Sequence, residues 1–489
     1  MNKKNYVAVA TLAFAMLTSC AGQKEAKSTS GIDLANMDTT VSAGTDFFRY
    51  ACGGWNDAHP LTAEYSRYGT FDELFENSQK QLRELIEGLA AQKNNQAGSA
   101  AQKIGDLYNM AMDSVTLNKQ GAEPVKAMLD KIAGMKDKSE IVPMMTEMAH
   151  IGIGTYFRSY VYADPKNSSL NIFQMGQGGI NLGEKEYYLD TDSITQNIRE
   201  QYKLYIGKLF QLAGFSEADA QQKVADVMEI ETAIAKVSRS ATELRDPEAN
   251  YHKMSFDELK KTIAGIDWDA YMKGLGIQAP AELNVEQVEP IQEVARLMNT
   301  LPLSKHVSYL EYNLLDAAAS CLSDDFVAAR FDFYGKVLSG RQVNQPRWKR
   351  AVNSVNGMLG ELVGEMYVEK YFPAAAKERM VKLVKNLQTA LGERIDAQEW
   401  MSDSTKIRAH EKLAAFHVKV GYPDKWKDYS KLEIKNDSYW ANVCRASEWG
   451  FNDMYSRIGK PVDKDEWLMT PQTCLLYTSP SPRDLSTSR

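Results

Sequence analysis

The 489-residue chain is poor in cysteine, with five, and in histidine, with six. No Cys-x-x-Cys pair occurs, which excludes a zinc knuckle or a thioredoxin-type redox motif. His59, His150, His252 and His306 stand singly, without ligand spacing. A Gly-x-Ser-x-Gly nucleophile elbow is missing, and no Cys/His arrangement points to nucleophilic catalysis. Gly176, Gly178, Gly179 and Gly183 do not complete a dinucleotide fingerprint. Where a phosphate-binding loop needs Gly-Lys-Ser/Thr, the chain has Gly183-Glu184-Lys185. A basic stripe is missing too: the net charge is −7, which argues against a nucleic-acid partner, since phosphate contacts need clustered Lys and Arg. Beyond the first twenty residues no run is apolar and long enough to span a bilayer.

What is present is ordinary for a globular protein, with 44% hydrophobic and 25% charged residues. The length suits two or three domains at roughly 150 residues each. The first stretch, "MNKKNYVAVATLAFAMLTSC", has Lys3 and Lys4, then a short apolar run, as a secretory signal does. Leu17-Thr18-Ser19-Cys20 resembles a bacterial lipobox, so residues 1–19 are expected to be a signal peptide and Cys20 the lipidated N-terminus. Residues 20–42 are polar and suit a tether. In a Gram-negative cell, Ala21 rather than Asp after the cysteine favours the outer membrane. The expectation is an exported bacterial lipoprotein that meets the membrane through its lipid alone. With Cys20 in the anchor and Cys474 in an unusual tail, Cys52, Cys321 and Cys444 remain. Their odd number leaves open a buried free thiol or a partner elsewhere.

The body is expected to be mainly α. Thr70-Phe71-Asp72-Glu73 has the form of a capping box, followed by an apolar stripe of Phe71, Leu74, Phe75, Leu82, Leu85, Ile86 and Leu89. Ser216 and Ser255 open two further helices. The first of these carries Val224, Val227, Met228, Ile234 and Val237. Met380, Leu383, Val384, Leu387, Leu391 and Ile395 form another stripe, and all these stripes are expected in the core. "SLNIFQM" (169–175) alternates as a strand does, and "ARFDFYGKVL" (329–338) is ambiguous.

His410-Glu411 begins like the zinc-binding His-Glu-x-x-His, whose histidines lie roughly 6 Å apart along a helix and converge on one ion. Here the next histidine is His417, roughly 10.5 Å along a continuous helix, too far for bonds of about 2 Å to bridge. His410, Leu413, Ala414 and His417 read as a partly buried helical face. No metal site is recognisable.

Several segments together resemble the neprilysin and endothelin-converting-enzyme family of zinc metallopeptidases, to which bacterial oligopeptidase O belongs. They are "DFFRYACGGWNDAHPLTAEYSRYGTFDEL" (46–74), "INLGEKEYYLD" (180–190), "RDPEANYHKMSFDELK" (245–260), "RWKRAVNSVNGMLGELVGEMYVEKYF" (347–372), "EWMSDSTKIRAHEKLAAFHVKVGYP" (399–423) and "DEWLMTPQT" (465–473). The resemblance runs over residues 43–473. It implies a two-lobed, mainly helical architecture, with a thermolysin-like zinc lobe and a helical lobe that screens out folded proteins. It implies zinc as cofactor and peptides of limited size as substrates. Arg67 matches a family arginine that meets the substrate's free carboxylate, for which a guanidinium fork is suited. Asp72 matches an acidic residue that holds that arginine. A further family arginine is replaced here by Phe75.

By the same resemblance, residues 43–75 pack on the zinc lobe, 76–430 form the screening lobe, and 431–473 begin the zinc lobe. Relatives continue past Met-Thr-Pro-Gln-Thr with a substrate-binding strand, the zinc helix, a third ligand and a histidine. Here Cys474-Leu475-Leu476-Tyr477-Thr478-Ser479 follows, which fits one translation of a transposon-end sequencing adapter. Residues 474–489 are therefore expected to be an adapter artefact. The screening lobe would be largely present, the zinc lobe mostly missing, and this fragment inactive with no zinc site of its own. The alternative is a non-enzymatic helical outer-membrane lipoprotein that binds glycans or peptides.

Overall fold

The computed structural model describes residues 33–92 and 94–473. The expected signal peptide, Cys20 and the 474–489 tail lie outside the described residues. The chain divides into two compact units after Thr62.

In the first unit Asp46 caps the helix Phe47–Ala58 by accepting from the Arg49 amide (2.9 Å). The Arg49 side chain bridges Asp38 (2.9 Å) and Asp57 (2.7 Å). The Gly53-Gly54 pair has a steric reason: a Cβ on Gly54 would lie 2.2 Å from the Ala35 carbonyl oxygen. Bare backbone there lets the 33–38 segment lie against the helix.

The second unit is helical around one small sheet. β1 (Phe157–Asp164) and β2 (Asn167–Gln177) form a hairpin with Phe157 opposite Gln177 and a register shift at Ala163/Asp164. β3 (Lys253–Ser255) and β4 (Glu282–Val285) complete the order β1-β2-β4-β3, with β2 and β4 parallel. The expected strand 169–175 lies inside β2. The ambiguous 329–338 stretch is helical instead, Asp324–Arg330 running on into a π-helix at Phe331–Leu338.

The centre of the core is the helix Leu303–Ala318, buried on every side from Ser308 to Leu315. It packs on the helix Glu217–Val237, whose cap Ser216 accepts from the Asp219 amide (3.1 Å). Val227, Met228 and Ile234 of that helix are buried, whereas Val237 is exposed. Ser255 and Glu258 form the expected capping box. Between these helices lies Glu231, fully buried, with no ion-pair partner among the described residues. It accepts hydrogen bonds from Tyr188 Oη (2.8 Å), Tyr202 Oη (2.9 Å) and Asn181 Nδ2 (2.7 Å), which tie the 181–188 loop to the core. His306 is also buried, with Nδ1 on Tyr156 Oη (2.7 Å) and Nε2 on the Leu297 carbonyl (3.2 Å). Burial pushes its pKa down to about 4, so it is neutral and structural.

One expected core stripe is core only in its second half, and another is not core. In the helix Thr70–Ala90, Leu82 and Ile86 are buried, yet Phe71 is 76%, Leu74 51% and Phe75 46% exposed. In the helix Ala374–Asp396 only Ile395 is buried, while Met380, Leu383, Leu387 and Leu391 are exposed. Periodicity identifies a face that gains from burial, but not whether the covering surface is present. The capping box also shifts: Gly69 is the N-cap, and Asp72 rather than Glu73 reaches back to the N-cap amide (2.8 Å). Among the described residues, Cys52, Cys321 and Cys444 are free, and no helix is long and apolar enough to cross a membrane.

Burial pushes the Glu231 carboxyl up to about 7, against the opposing pull of its hydrogen bonds. A pKa raised in the folded state means that this group's contribution is full below about pH 4.5 and is lost as pH rises through about 7. Glu231→Gln keeps the hydrogen-bonded shape without the ionisation. Urea unfolding at pH 4.5 and pH 8 is expected to show the variant gaining on the wild type with rising pH, on the order of 3 kcal/mol. A pH-independent difference between the two would contradict this.

Candidate substrate-carboxylate site

The loop that carries Arg67 is fixed from beneath by a buried lysine. Lys349, on the helix Arg347–Met358, reaches Glu64 Oε2 (2.8 Å) and Glu76 Oε1 (2.5 Å), and its side chain is only 8% exposed. Tyr65 Oη donates to the same Glu76 carboxylate. Burial acts to raise the Glu76 pKa, but the Lys349 and Tyr65 hydrogen bonds hold it below the usual value. The Tyr65 ring lies edge-on to Tyr68 (5.1 Å). The Gln342 and Val343 amides both donate to the Ala63 carbonyl (3.0 and 3.1 Å), closing the other side of the loop.

Arg67 sits at the crest of this clamped loop. It is exposed and makes no hydrogen bond or ion pair among the described residues. Asp72, which the sequence pairs with it, is engaged in capping through the Gly69 amide, so the structure brings the two to the same helix start but not into an ion pair. Beyond them the exposed Phe71, Leu74 and Phe75 form an apolar first turn. The arrangement presents a guanidinium on a rigid support beside an apolar surface. That combination suits a carboxylate with a hydrophobic group attached.

The end of the described chain closes on the same framework. Buried Gln472 donates through Nε2 to Asn356 Oδ1 (2.5 Å) and to the Gly360 carbonyl (2.9 Å), while Ser78 Oγ donates to the Gln472 carbonyl (3.0 Å). Gly360 and Gly364 face this segment. A Cβ on either would meet Thr470 Cγ2 at 2.8 Å or Gln472 Oε1 at 3.0 Å.

The histidines that the sequence offers as metal ligands do not come together among the described residues. The helix that carries His410 ends at Ala414, and His417 lies beyond it. His410 meets Asp396 (2.7 Å) and His417 meets Asp465 (3.1 Å), each as a separate pair. The expected shared face is not formed: His410 and Leu413 are half-buried, but Ala414 and His417 are exposed. Among the described residues no group of three or more His, Cys, Asp or Glu could hold a metal ion.

Lys349 lies inside the quoted Arg347-Trp348-Lys349-Arg350 run, but nothing local marks it as an anchor. Lys349→Met would leave the half-buried Glu64 and Glu76 facing each other without their cation. It is expected to cost roughly 3–5 kcal/mol and to speed amide exchange across residues 63–69 in hydrogen-exchange mass spectrometry. Unchanged protection of that loop would remove Lys349 from the role of anchor.

Rat endothelin-converting enzyme 1 is 28% identical over 477 residues, covering 92% of this chain and 61% of that protein. The locust endothelin-converting enzyme homolog is 27% identical over 476 residues. The Mycobacterium tuberculosis zinc metalloprotease ZMP1 in complex with an inhibitor superposes with a TM-score of 0.85 at 33% identity, covering 92% of this chain and 68% of that one. PEPO of Lactobacillus rhamnosis shares the fold, with a TM-score of 0.76 at 19% identity. The chain thus spans about 61% of the first of these curated relatives. With the "Peptidase family M13" model matching residues 43–423, the chain belongs to peptidase family M13.

Proposed function

We propose that this chain is the front part of an exported, lipid-anchored zinc metalloendopeptidase that hydrolyses small to medium peptides. The observation that carries the reading, beside family membership, is Arg67: an unpaired guanidinium on a loop locked by Lys349. Its proposed role is to hold the free carboxylate of a peptide substrate, with Asp72 as its neighbour and the Phe71–Phe75 turn receiving the adjoining side chain. The replacement of a family arginine by Phe75 shifts preference toward an apolar residue there.

Zinc chemistry belongs, on this reading, to the portion of the longer relatives that this chain does not match. The two-lobed arrangement follows: the described helices serve mainly as the screening lobe, and further polypeptide covers the exposed faces at Phe71–Phe75 and Met380–Leu391. Lipidation of Cys20 and outer-membrane attachment complete the proposal. The 489-residue chain alone is inactive.

Two measurements test this. The purified chain, given zinc and a quenched fluorescent peptide, is expected to show no cleavage and less than stoichiometric zinc after dialysis; zinc-dependent turnover would refute its inactivity. Separately, a short peptide with a free C-terminus is expected to bind the chain roughly 10–100-fold more tightly than its amide, a difference that Arg67→Gln abolishes. Equal affinity for acid and amide would exclude Arg67 as the carboxylate contact.

A further inference from the structure

A cavity of about 440 Å³ opens between the helix Arg347–Met358 and the π-helix Phe331–Leu338, and its lining is unusually cationic. Arg330, Arg341, Arg347 and Arg350 all line it, and no carboxylate does. Two of the four are compensated from outside the cavity. Arg330 pairs with Asp316 (2.7 Å), and Arg347 pairs with Asp324, which is itself held by Asn118 Nδ2 (2.9 Å).

The other two have no ion pair among the described residues. Arg350 donates through Nη1 to the Gln345 carbonyl (2.7 Å), a neutral partner. Arg341 lies over the Phe331 ring at 5.6 Å, and its Nε is buried with no hydrogen-bond partner. Leaving a donor of a charged group buried and unsatisfied is costly. Burial and the neighbouring Arg347 both act to depress the Arg350 pKa, against a smaller opposing pull from Asp324, which Arg347 already engages.

The wall opposite is equally unusual. π-helices are rare and recur at functional sites. Here the wide turn is closed by Phe331 lying on Gly335, where a Cβ would come within 2.2 Å of the ring. It directs Phe331 and Tyr334 into the cavity, with Arg330 over the Tyr334 ring at 4.4 Å. Tyr439 and Ser354 add hydroxyl groups to the lining. The volume is within the range of small-molecule sites.

From the two uncompensated guanidinium groups, the unsatisfied Arg341 Nε and the aromatic wall, we infer that this cavity binds a small phosphate-bearing molecule. A phosphate dianion matches the two unpaired charges and the fork geometry of guanidinium, and the Phe331–Tyr334 side takes an attached organic group. No residue of the 63–69 loop lines this cavity, although the Gln342–Val343 segment joins the two places, and the inference does not depend on the peptidase reading.

The test is calorimetric titration of the full chain at pH 8 and fixed ionic strength, with inorganic phosphate and with phenyl phosphate, sodium acetate serving as the monoanion control. Saturable binding of phenyl phosphate at least tenfold tighter than of phosphate is expected, and marks an esterified ligand. Equal binding of the two assigns the site to free phosphate and overturns the organic-group part of the proposal. Arg341→Gln and Arg350→Gln are each expected to weaken binding at least tenfold while leaving the melting temperature of the unliganded protein unchanged or higher. If Arg341→Gln does not fold, Arg341→Lys, which keeps the charge and loses the fork, is expected to weaken binding several-fold. No saturable binding to the wild type, or variants that bind as it does, would overturn the inference.

Discussion

The second unit depends on one buried ammonium group. Lys349 holds Glu64 and Glu76 together, and through them it joins the loop before the Thr70–Ala90 helix to the helix Arg347–Met358. An ammonium in a nearly dry site is tolerable only when its carboxylates are close and well placed, and Tyr65 supplies the further hydrogen bond that such a site needs. Gln79 Nε2 on Asn353 Oδ1 (2.7 Å) extends the same seam along the two helices. What this seam carries at its outer edge is Arg67. A long, charged side chain is thus exposed on a backbone that has little freedom. That is the condition under which a guanidinium can recognise a carboxylate without first paying for loop ordering.

The parts of the fold that the sequence conveyed were those decided locally. Ser216 and Ser255 cap helices because a hydroxyl three residues from an amide is a short-range matter, and the 169–175 alternation matured into β2. The failures share a cause. Lys349 meets partners 273 and 285 residues away, so no window of sequence contains the interaction. Glu231 looks like any acidic residue on an amphipathic helix until Tyr188 and Tyr202 are brought to it by the fold. The Phe331–Leu338 stretch is aromatic enough to mimic a strand, and its place in the fold, with Phe333 packed on Tyr202 and Tyr205, is set by residues more than a hundred positions away. Of the candidate site, Arg67 came from a segment resemblance; the apolar turn beside it and the lysine beneath it did not.

The exposed stripes at Phe71–Phe75 and Met380–Leu391 are a different kind of result. Their periodicity is amphipathic and led to the expectation of core, yet the described residues supply no cover for them. A contiguous apolar surface of this sort marks an interaction face. The helix Ala374–Asp396 and the helix Asp403–Ala414 that packs on it therefore behave as a half-finished layer, complete toward each other and open on the remaining side.

Gly360 and Gly364, one helical turn apart, give the end of the described chain an unusual mechanical property. They remove the side chains that would hold Thr470–Gln472 off the helix, and Gln472 then fastens that segment to Asn356 and to the Gly360 carbonyl. Residues 470–473 thus lie fixed against the helix Gly360–Tyr371 rather than free of it. A force applied at Gln472 passes through its two hydrogen bonds into the helices Arg347–Met358 and Gly360–Tyr371 rather than being dissipated in slack.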